Sequence, residues 1–231
     1  MRLPLLDFVS DLFPDINLQN VLLIASQHIL DSNYTMFEYF FKKGLKTENT
    51  FLIGKVYSTN LETIKKFKER GVSVSDASLD FNSHLSFDEQ FENEITKFLY
   101  HIQSIKNFNN FEKIMLLDDG GYLVNIANQI FQDKTNFIAI EQTSSGYNKL
   151  KNQNFKFPII NVARSRAKLF YESPMIADVF LKKLNRKIND LKLKPKNVLV
   201  IGAVPIGNEI FKKIKSNKEI CDINSSCKIN I

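Results

Sequence analysis

Short runs of apolar, often β-branched residues alternate along the chain with longer segments in which apolar residues recur every three or four positions. Runs of the first kind are typical of buried parallel strands, and segments of the second kind are typical of crossover helices. The pattern therefore predicts an α/β protein with an open, mostly parallel sheet. We expect strands at 20–25, 50–53, 72–75, 113–117, 137–140, 159–162, 197–201 and 219–221.

The longer segments predict helices at 31–43, 61–70, 87–104, 122–131 and 174–191. A lysine-rich stretch at 184–196 precedes the last strong strand, and we interpret it as a solvated helix face and connector, with a phosphate or nucleic-acid patch as the alternative. The domain boundary is expected in this region. We predict a substrate domain at 1–173 and the start of a second domain at 174–231.

Composition and charge exclude several classes of protein. The net charge is +6, but only 24% of residues are charged and the acids are spread among the bases, so we expect no nucleic-acid partner. No apolar run approaches the length of a membrane span, and the N-terminus has no secretory signal, so we expect a cytoplasmic protein. Cys221 and Cys227 have no Cys or His cluster beside them, which predicts ordinary thiols and no metal site.

The segment "NVLVIGAVPIGNEIFKKI" places a buried strand, two glycines and an amphipathic helix in succession. This order predicts a dinucleotide site, in which Gly202 and Gly207 let the backbone approach a pyrophosphate at the helix N-terminus. Asp222 lies at the spacing of the acid that binds the adenosine ribose. Val204 replaces the middle glycine, so we expect weak binding of NAD, or none. A connection that binds nothing is the alternative.

Polar residues also follow three strands of the predicted sheet. Asp118 and Asp119 end the first of these strands, and they could bind ribose hydroxyls, act as acid and base, or cap the next helix. The second strand ends in "EQTSSG" and the third leads to Lys168 and Glu172, whose spacing places them on one face of a helix. A surface ion pair is the ordinary interpretation of that spacing.

Together, the segments "QHIL", "VYSTN", "LLDDGGYL", "EQTSSG", "PIINVARSRAKLFYES" and "VLVIGAVPIG" resemble S-adenosylhomocysteine hydrolases in order and spacing over most of the chain. The resemblance implies reversible cleavage of a thioether with a tightly held NAD, which first oxidises the ribose 3′-hydroxyl. It also implies a substrate domain followed by the first β-α-β of a Rossmann NAD-binding domain.

Carried over by position, the resemblance implies catalytic roles for His28, Asp119, Lys168 and Glu172. His28 would handle a proton near the leaving group, although a core histidine is the alternative, and Lys168 would contact the ribose 3′-hydroxyl. The substrate pocket would include Ser58, Thr59 and Gln142. The implied NAD contacts are Thr143, Ser144, Ser145, Gly202, Gly207 and Asp222.

At four positions the residue type differs from that of the family. The resemblance places these positions around the ribose of the substrate. Gln142 stands where the family has a glutamate, Glu172 replaces an aspartate, and Ser173 and Ala163 replace asparagines. The family's chains also continue beyond the position of Ile231. We therefore expect a divergent, truncated homologue that is inactive as an isolated chain. A nucleoside- or dinucleotide-binding protein without turnover is one alternative, and an enzyme for another nucleoside-like substrate is the other.

The partners follow from the same resemblance. We expect a nucleoside-like small molecule as the ligand, with neither nucleic acid nor membrane as a partner. A homo-oligomer, or pairing with a complete chain of the family, remains open at this point.

Overall fold

A computed structural model describes residues 3–82, 84–131, 135–215 and 217–221 of the chain. The chain divides into two compact units, Met1–Val162 and Ala163–Ile231. No helix in these described ranges is long and apolar enough to cross a membrane.

The first unit alternates strands and helices, as an α/β pattern requires. Its helices are α1 (Pro4–Leu12), α2 (Asp31–Lys42), α3 (Leu61–Glu69), α4 (Phe87–Ile105), α5 (Tyr122–Ile130) and α6 (Ser144–Leu150). Its strands are β1 (Val21–Ile29), β2 (Thr50–Thr59), β3 (Ser73–Val74), β4 (Lys113–Asp118), β5 (Phe137–Glu141) and β6 (Ile159–Asn161).

These six strands form one sheet in the order β3-β2-β1-β4-β5-β6, and all the neighbouring pairs are parallel. The α/β class and the parallel sheet predicted from the sequence are therefore confirmed. The direction of strand succession reverses between β1 and β4. In open α/β sheets a reversal of this kind leaves a crevice at the carboxyl ends of the strands, where ligands commonly bind.

Apolar cores cover both faces of the sheet, because successive residues of a strand point to opposite sides. Leu22 and Ile24 of β1 belong to one core, which also contains Phe91 and Leu99 of α4. Leu23 of β1 belongs to the other core, which is built with residues of α2 and α3. The central strands are thus buried on both faces, which explains their continuous apolar runs.

Two strands extend further than the sequence predicts. β1 continues to Ile29 and β2 to Thr59, through polar residues that include Ser26 and Lys55. The Ser26 and Lys55 side chains are nonetheless buried at the carboxyl edge of the sheet. α1 and α6 were not predicted either, since both are short and lack a long apolar repeat.

The second unit contains a π-helix (Ala167–Glu172), α7 (Ser173–Asp190), β7 (Asn197–Ile201), α8 (Pro205–Lys213) and β8 (Asn217–Cys221). β7 and β8 pair in parallel, so α8 is their crossover helix. Lys213 of α8 forms a 2.7 Å ion pair with Asp178 of α7. This unit therefore has a β-α-β arrangement of its own, followed by residues outside the described ranges.

Candidate functional site

The candidate site lies at the carboxyl edge of the sheet, at the reversal between β1 and β4. Three side chains from separate segments meet there: His28 of β1, Lys55 of β2 and Asp119, which directly follows β4. The amide of Asp119 donates to the Ser26 carbonyl at 3.1 Å and so continues the pairing of β4 with β1. The sheet itself therefore fixes the backbone of Asp119 beside β1.

Lys55 reaches this point because β2 is irregular. Gln27 pairs with Gly54 and Ile29 pairs with Thr59, so four residues of β2 lie opposite His28 alone. A bulge of this kind redirects side chains next to the regular ladder. The Lys55 ammonium lies 2.5 Å from Oδ1 of Asp119, and the lysine side chain is only 5% exposed.

His28 lies beside the same carboxylate. Its Nε2 is 3.7 Å from Oδ1 of Asp119, which is beyond hydrogen-bond distance but close enough for electrostatic interaction. Burial lowers the pKa of His28, while Asp119 acts to raise it and Lys55 to lower it. The imidazole is therefore neutral at pH 7. Its Nδ1 is buried without a hydrogen-bond partner among the described residues.

Asp118 and Glu141 lie directly behind this group, in register on β4 and β5. Oδ2 of Asp118 accepts from the Val124 amide at 2.9 Å, in the first turn of α5. Oε1 of Glu141 accepts from the Gly120 amide at 3.2 Å and from both the amide and the hydroxyl of Thr143 at 2.7 Å. The two carboxyl groups thus anchor the loops that follow β4 and β5.

Glycines make room for this arrangement. A Cβ at Gly146 would lie 2.2–2.4 Å from the carboxyl atoms of Glu141, so only glycine fits at this position of α6. Gly121 has a φ of 78°, and a Cβ there would lie 2.8 Å from the Gly146 Cα. The first turns of α5 and α6 therefore pack closely around the Glu141 carboxyl group.

The environment of Asp118 and Glu141 raises the pKa of both carboxyl groups. Burial raises the pKa of Asp118, and the neighbouring Glu141 raises it further. Burial also raises the pKa of Glu141, although the hydrogen bonds from Thr143 and Gly120 oppose this. Asp118, whose Oδ2 accepts from the Val124 amide, fits the helix-cap interpretation of the "DDGG" segment, whereas Asp119 lies beside His28 and Lys55.

Aromatic rings line one side of the site. The Tyr57 ring lies 6.0 Å from the His28 ring and 5.1 Å from the Phe87 ring, in edge contact with both. The Tyr122 hydroxyl donates to Asp88 at 2.5 Å, and the Lys149 ammonium lies over the Tyr122 ring. Tyr57 is largely exposed, so it offers an apolar face next to the polar group.

The other predicted pocket residues lie around the same edge of the sheet and differ in their hydrogen bonds. Ser58 lies half-buried in the β2 bulge, and the Thr59 hydroxyl donates to the Lys55 carbonyl at 2.8 Å. Gln142 is half-buried, and its backbone N–H donates to the Asp118 carbonyl. The roles of these three residues toward a substrate remain predictions.

The predicted hydroxyl trio begins α6. The Thr143 hydroxyl caps this helix by accepting from the Gly146 amide at 3.0 Å, and it also donates to Glu141. Ser144 and Ser145 are exposed in the first turn. Thr143 therefore has a structural role that the sequence did not reveal, and contacts of the trio with NAD remain predictions.

The remaining predicted residues belong to the second unit or lie outside the described ranges. Lys168 and Glu172 form a 3.1 Å ion pair along the π-helix. Gly202 has a φ of 106°, and a Cβ at Gly207 would lie 1.8 Å from the Gly202 carbonyl oxygen, so both positions require glycine. Asp222 lies outside the described residues.

Two residues of the site were missed in the sequence. Lys55 follows a glycine at the end of an apolar run, and nothing in the local pattern marks it as buried. Glu141 precedes Gln142 at a strand end, where its burial could have been inferred from the "EQTSSG" position at the sheet edge.

No protein-family model matches the chain. Two curated proteins of Mycobacterium tuberculosis are similar to it: uncharacterized protein MT0113 of strain CDC 1551 / Oshkosh and uncharacterized protein Rv0104 of strain ATCC 25618 / H37Rv. Each is 33% identical over 216 residues, which cover 92% of this chain and 43% of the relative. The chain thus spans less than half the length of the curated relatives that it matches.

Proposed function

We propose that the chain binds a nucleoside-like molecule at the carboxyl edge of its six-stranded sheet, in a site that corresponds to the substrate site of S-adenosylhomocysteine hydrolases, and that the isolated chain does not complete their reaction. The observation that carries the proposal is the 3.7 Å approach of His28 to Asp119. The resemblance assigns both residues to one reaction, and they come from segments far apart in the sequence. Their approach at the strand reversal supports a shared role.

Asp119 is suited to bind ribose hydroxyls. Lys55 donates to Oδ1, and the carboxylate retains further acceptor positions on its two oxygens. Hydrogen bonds to an ionised acceptor are roughly twice as strong as neutral ones, so two neighbouring hydroxyl groups would be held firmly. The Lys55 ammonium balances the charge of the carboxylate in a site where water is partly excluded.

His28 is suited to move a proton. A neutral imidazole accepts a proton, and the nearby Asp119 carboxylate stabilises the imidazolium that forms. In the family's reaction, loss of the acidified C4′ proton would break the C5′–S bond with its electron pair leaving on sulfur, and His28 would carry a proton to that sulfur of the leaving homocysteine. The low pKa of His28 favours this release, because burial destabilises the charged ring.

The family's reaction requires NAD, and residues of the second unit fit part of that cofactor. Gly202 directly follows β7, α8 begins at Pro205, and Gly207 lies in the first turn of α8, so neither glycine position presents a side chain. A pyrophosphate is favoured at such a helix N-terminus. When bound, NAD would accept a hydride from the ribose C3′. The exposed Val204 side chain in this turn supports weaker binding than a glycine would allow.

A titration of the full chain with adenosine, followed by calorimetry, tests the proposed site. We expect saturable binding that Asp119→Asn weakens by about 1.5 kcal/mol or more, because a charged acceptor is lost. Asp76→Asn is the matched control, since Asp76 is exposed and pairs only with a surface lysine among its described contacts. Absence of adenosine binding by a folded chain would contradict the proposal. Release of homocysteine from S-adenosylhomocysteine with added NAD tests turnover separately.

A second candidate is binding or turnover of a different nucleoside-like molecule. It is favoured by Gln142, a neutral amide at the position where the resemblance places a carboxylate, and by Thr143, whose hydroxyl already bonds Glu141. Such changes alter which groups of a ligand can form hydrogen bonds with the site. Parallel titrations with inosine and a 3′-deoxy analogue distinguish the two candidates, because the first requires the adenine base and the 3′-hydroxyl.

A further inference from the structure

Asp118 and Glu141 are paired in register on adjacent strands, and each has one carboxyl oxygen without a partner. These atoms are Oδ1 of Asp118 and Oε2 of Glu141, and both are fully buried among the described residues. Two ionised carboxylates here would place two unsolvated negative charges side by side, which is very unfavourable. A proton on either group removes one of these two charges.

We propose that Asp118 and Glu141 share one proton, and that the resulting pair positions the two loops that carry Asp119 and Gln142. The shared proton is a property of the fold alone, whereas its importance for ligand binding rests on the proposed function. Neither residue is assigned a contact with substrate. They are positioning residues.

The outer oxygens of the pair show how the loops are held. Oε1 of Glu141 gathers three donors, the Gly120 amide from one loop and the amide and hydroxyl of Thr143 from the other. Oδ2 of Asp118 accepts from the Val124 amide at the start of α5. The two carboxyl groups therefore connect both loops through a single buried unit.

Three other charged groups among the described residues interact with the pair. Asp119 raises the pKa of both acids, and Lys55 lowers the pKa of Asp118. Lys149 of α6 interacts electrostatically with Asp118, and burial lowers the pKa of this lysine. Lys55 is already bonded to Asp119, so it does not neutralise the pair.

Carboxyl and amide NMR on the isotope-labelled chain of 231 residues tests the proposal without any ligand. In the wild-type protein we expect the side-chain signals of Asp118 and Glu141 to move together in a step above the ordinary range of carboxylic acids. The Gly120 and Thr143 amide signals should follow the same midpoint. Glu141→Gln supplies a permanent donor in place of the proton, so the Asp118 midpoint should fall by about one pH unit or more.

The matched control is Glu112→Gln, which removes an exposed carboxylate just before β4 and should leave the Asp118 midpoint unchanged. Independent midpoints for Asp118 and Glu141 in the wild type would overturn the shared proton, even where the variant does not fold. If the amide signals of Gly120 and Thr143 do not change as Asp118 and Glu141 titrate, the pair does not position the two loops. Failure of adenosine to bind would contradict the proposed function. The NMR midpoints would still decide whether Asp118 and Glu141 share a proton.

Discussion

The ammonium group of Lys55 lies 2.5 Å from Oδ1 of Asp119, and the two residues belong to segments on either side of β1. Their ion pair spans the end of that strand, where His28 is located. The Lys55 side chain is 5% exposed and that of Asp119 is 18% exposed, so water screens the pair only weakly. The pair therefore fixes the carboxylate beside the imidazole.

Lys55→Met should destabilise the fold, because it leaves the Asp119 carboxylate without its cation in a partly closed environment. Removing one member of a buried pair costs about 3 to 5 kcal/mol, and the partial exposure of Asp119 places the expected loss near the lower end of that range. Urea unfolding at pH 7 measures the free energy of unfolding. A loss below about 1 kcal/mol would contradict a buried ion pair.

The exposed pair of Lys66 and Asp31 provides the control for this experiment, with a similar distance of 2.9 Å. Lys66→Met should cost at most about 1 kcal/mol, because solvent screens both charges. Adding Asp119→Asn to Lys55→Met should recover part of the lost stability, since no unpaired charge then remains.

The strands were predictable because strands buried on both faces have continuous apolar sequences. The run at 21–25 is an example, and β4 and β5 end within one residue of their predicted limits. The carboxyl ends of β1 and β2 were not predictable in this way. Their residues are polar and yet buried, and a hydrophobic pattern assigns such residues to loops.

The site could be predicted only in part. The resemblance selected His28 and Asp119, which the structure brings together, because their motifs are read directly from sequence. Lys55 was missed, since its burial depends on a bulge created by long-range pairing between β1 and β2. Asp118 and Asp119 look equivalent in sequence. The structure distinguishes them, because Asp118 accepts from an amide in the first turn of α5 and Asp119 does not lie in that contact.

Gly146→Ala should destabilise the protein and disturb the loop after β5. The added Cβ would lie 2.2–2.4 Å from the Glu141 carboxyl atoms, so the glutamate or the first turn of α6 must move. Overpacking of this kind costs about 1 to 3 kcal/mol. Ser145→Ala, at the exposed neighbouring position, should change the free energy of unfolding by less than about 0.5 kcal/mol. Equal stability of the two variants would refute the tight fit.

Gln142→Glu should tighten adenosine binding, because it restores the carboxylate that the resemblance places at this position. Replacing a neutral acceptor with a charged one adds about 1 kcal/mol, or roughly a fivefold lower dissociation constant. Calorimetry measures the change, with the exposed Gln153→Glu as a control of equal charge. Unchanged or weaker binding would indicate that the amide is fitted to a different ligand.

Asp118→Asn should make the protein more stable at pH 7.5. Burial and the neighbouring Glu141 raise the pKa of Asp118 to about 8, so the folded protein keeps a proton that the unfolded chain has already lost. Stability is therefore lost as the pH rises from about 4 towards 8, by up to about 1.4 kcal/mol per pH unit. The asparagine variant has no such proton, and its amide still provides an acceptor for Val124 and a donor for Glu141. Urea unfolding of both proteins at pH 5, 6, 7 and 7.5 isolates the titration of Asp118 together with Glu141, because groups outside this pair, such as His28, contribute similarly to both proteins. The stability difference should grow with pH, and a constant or shrinking difference would mean that Asp118 is ionised in the folded protein.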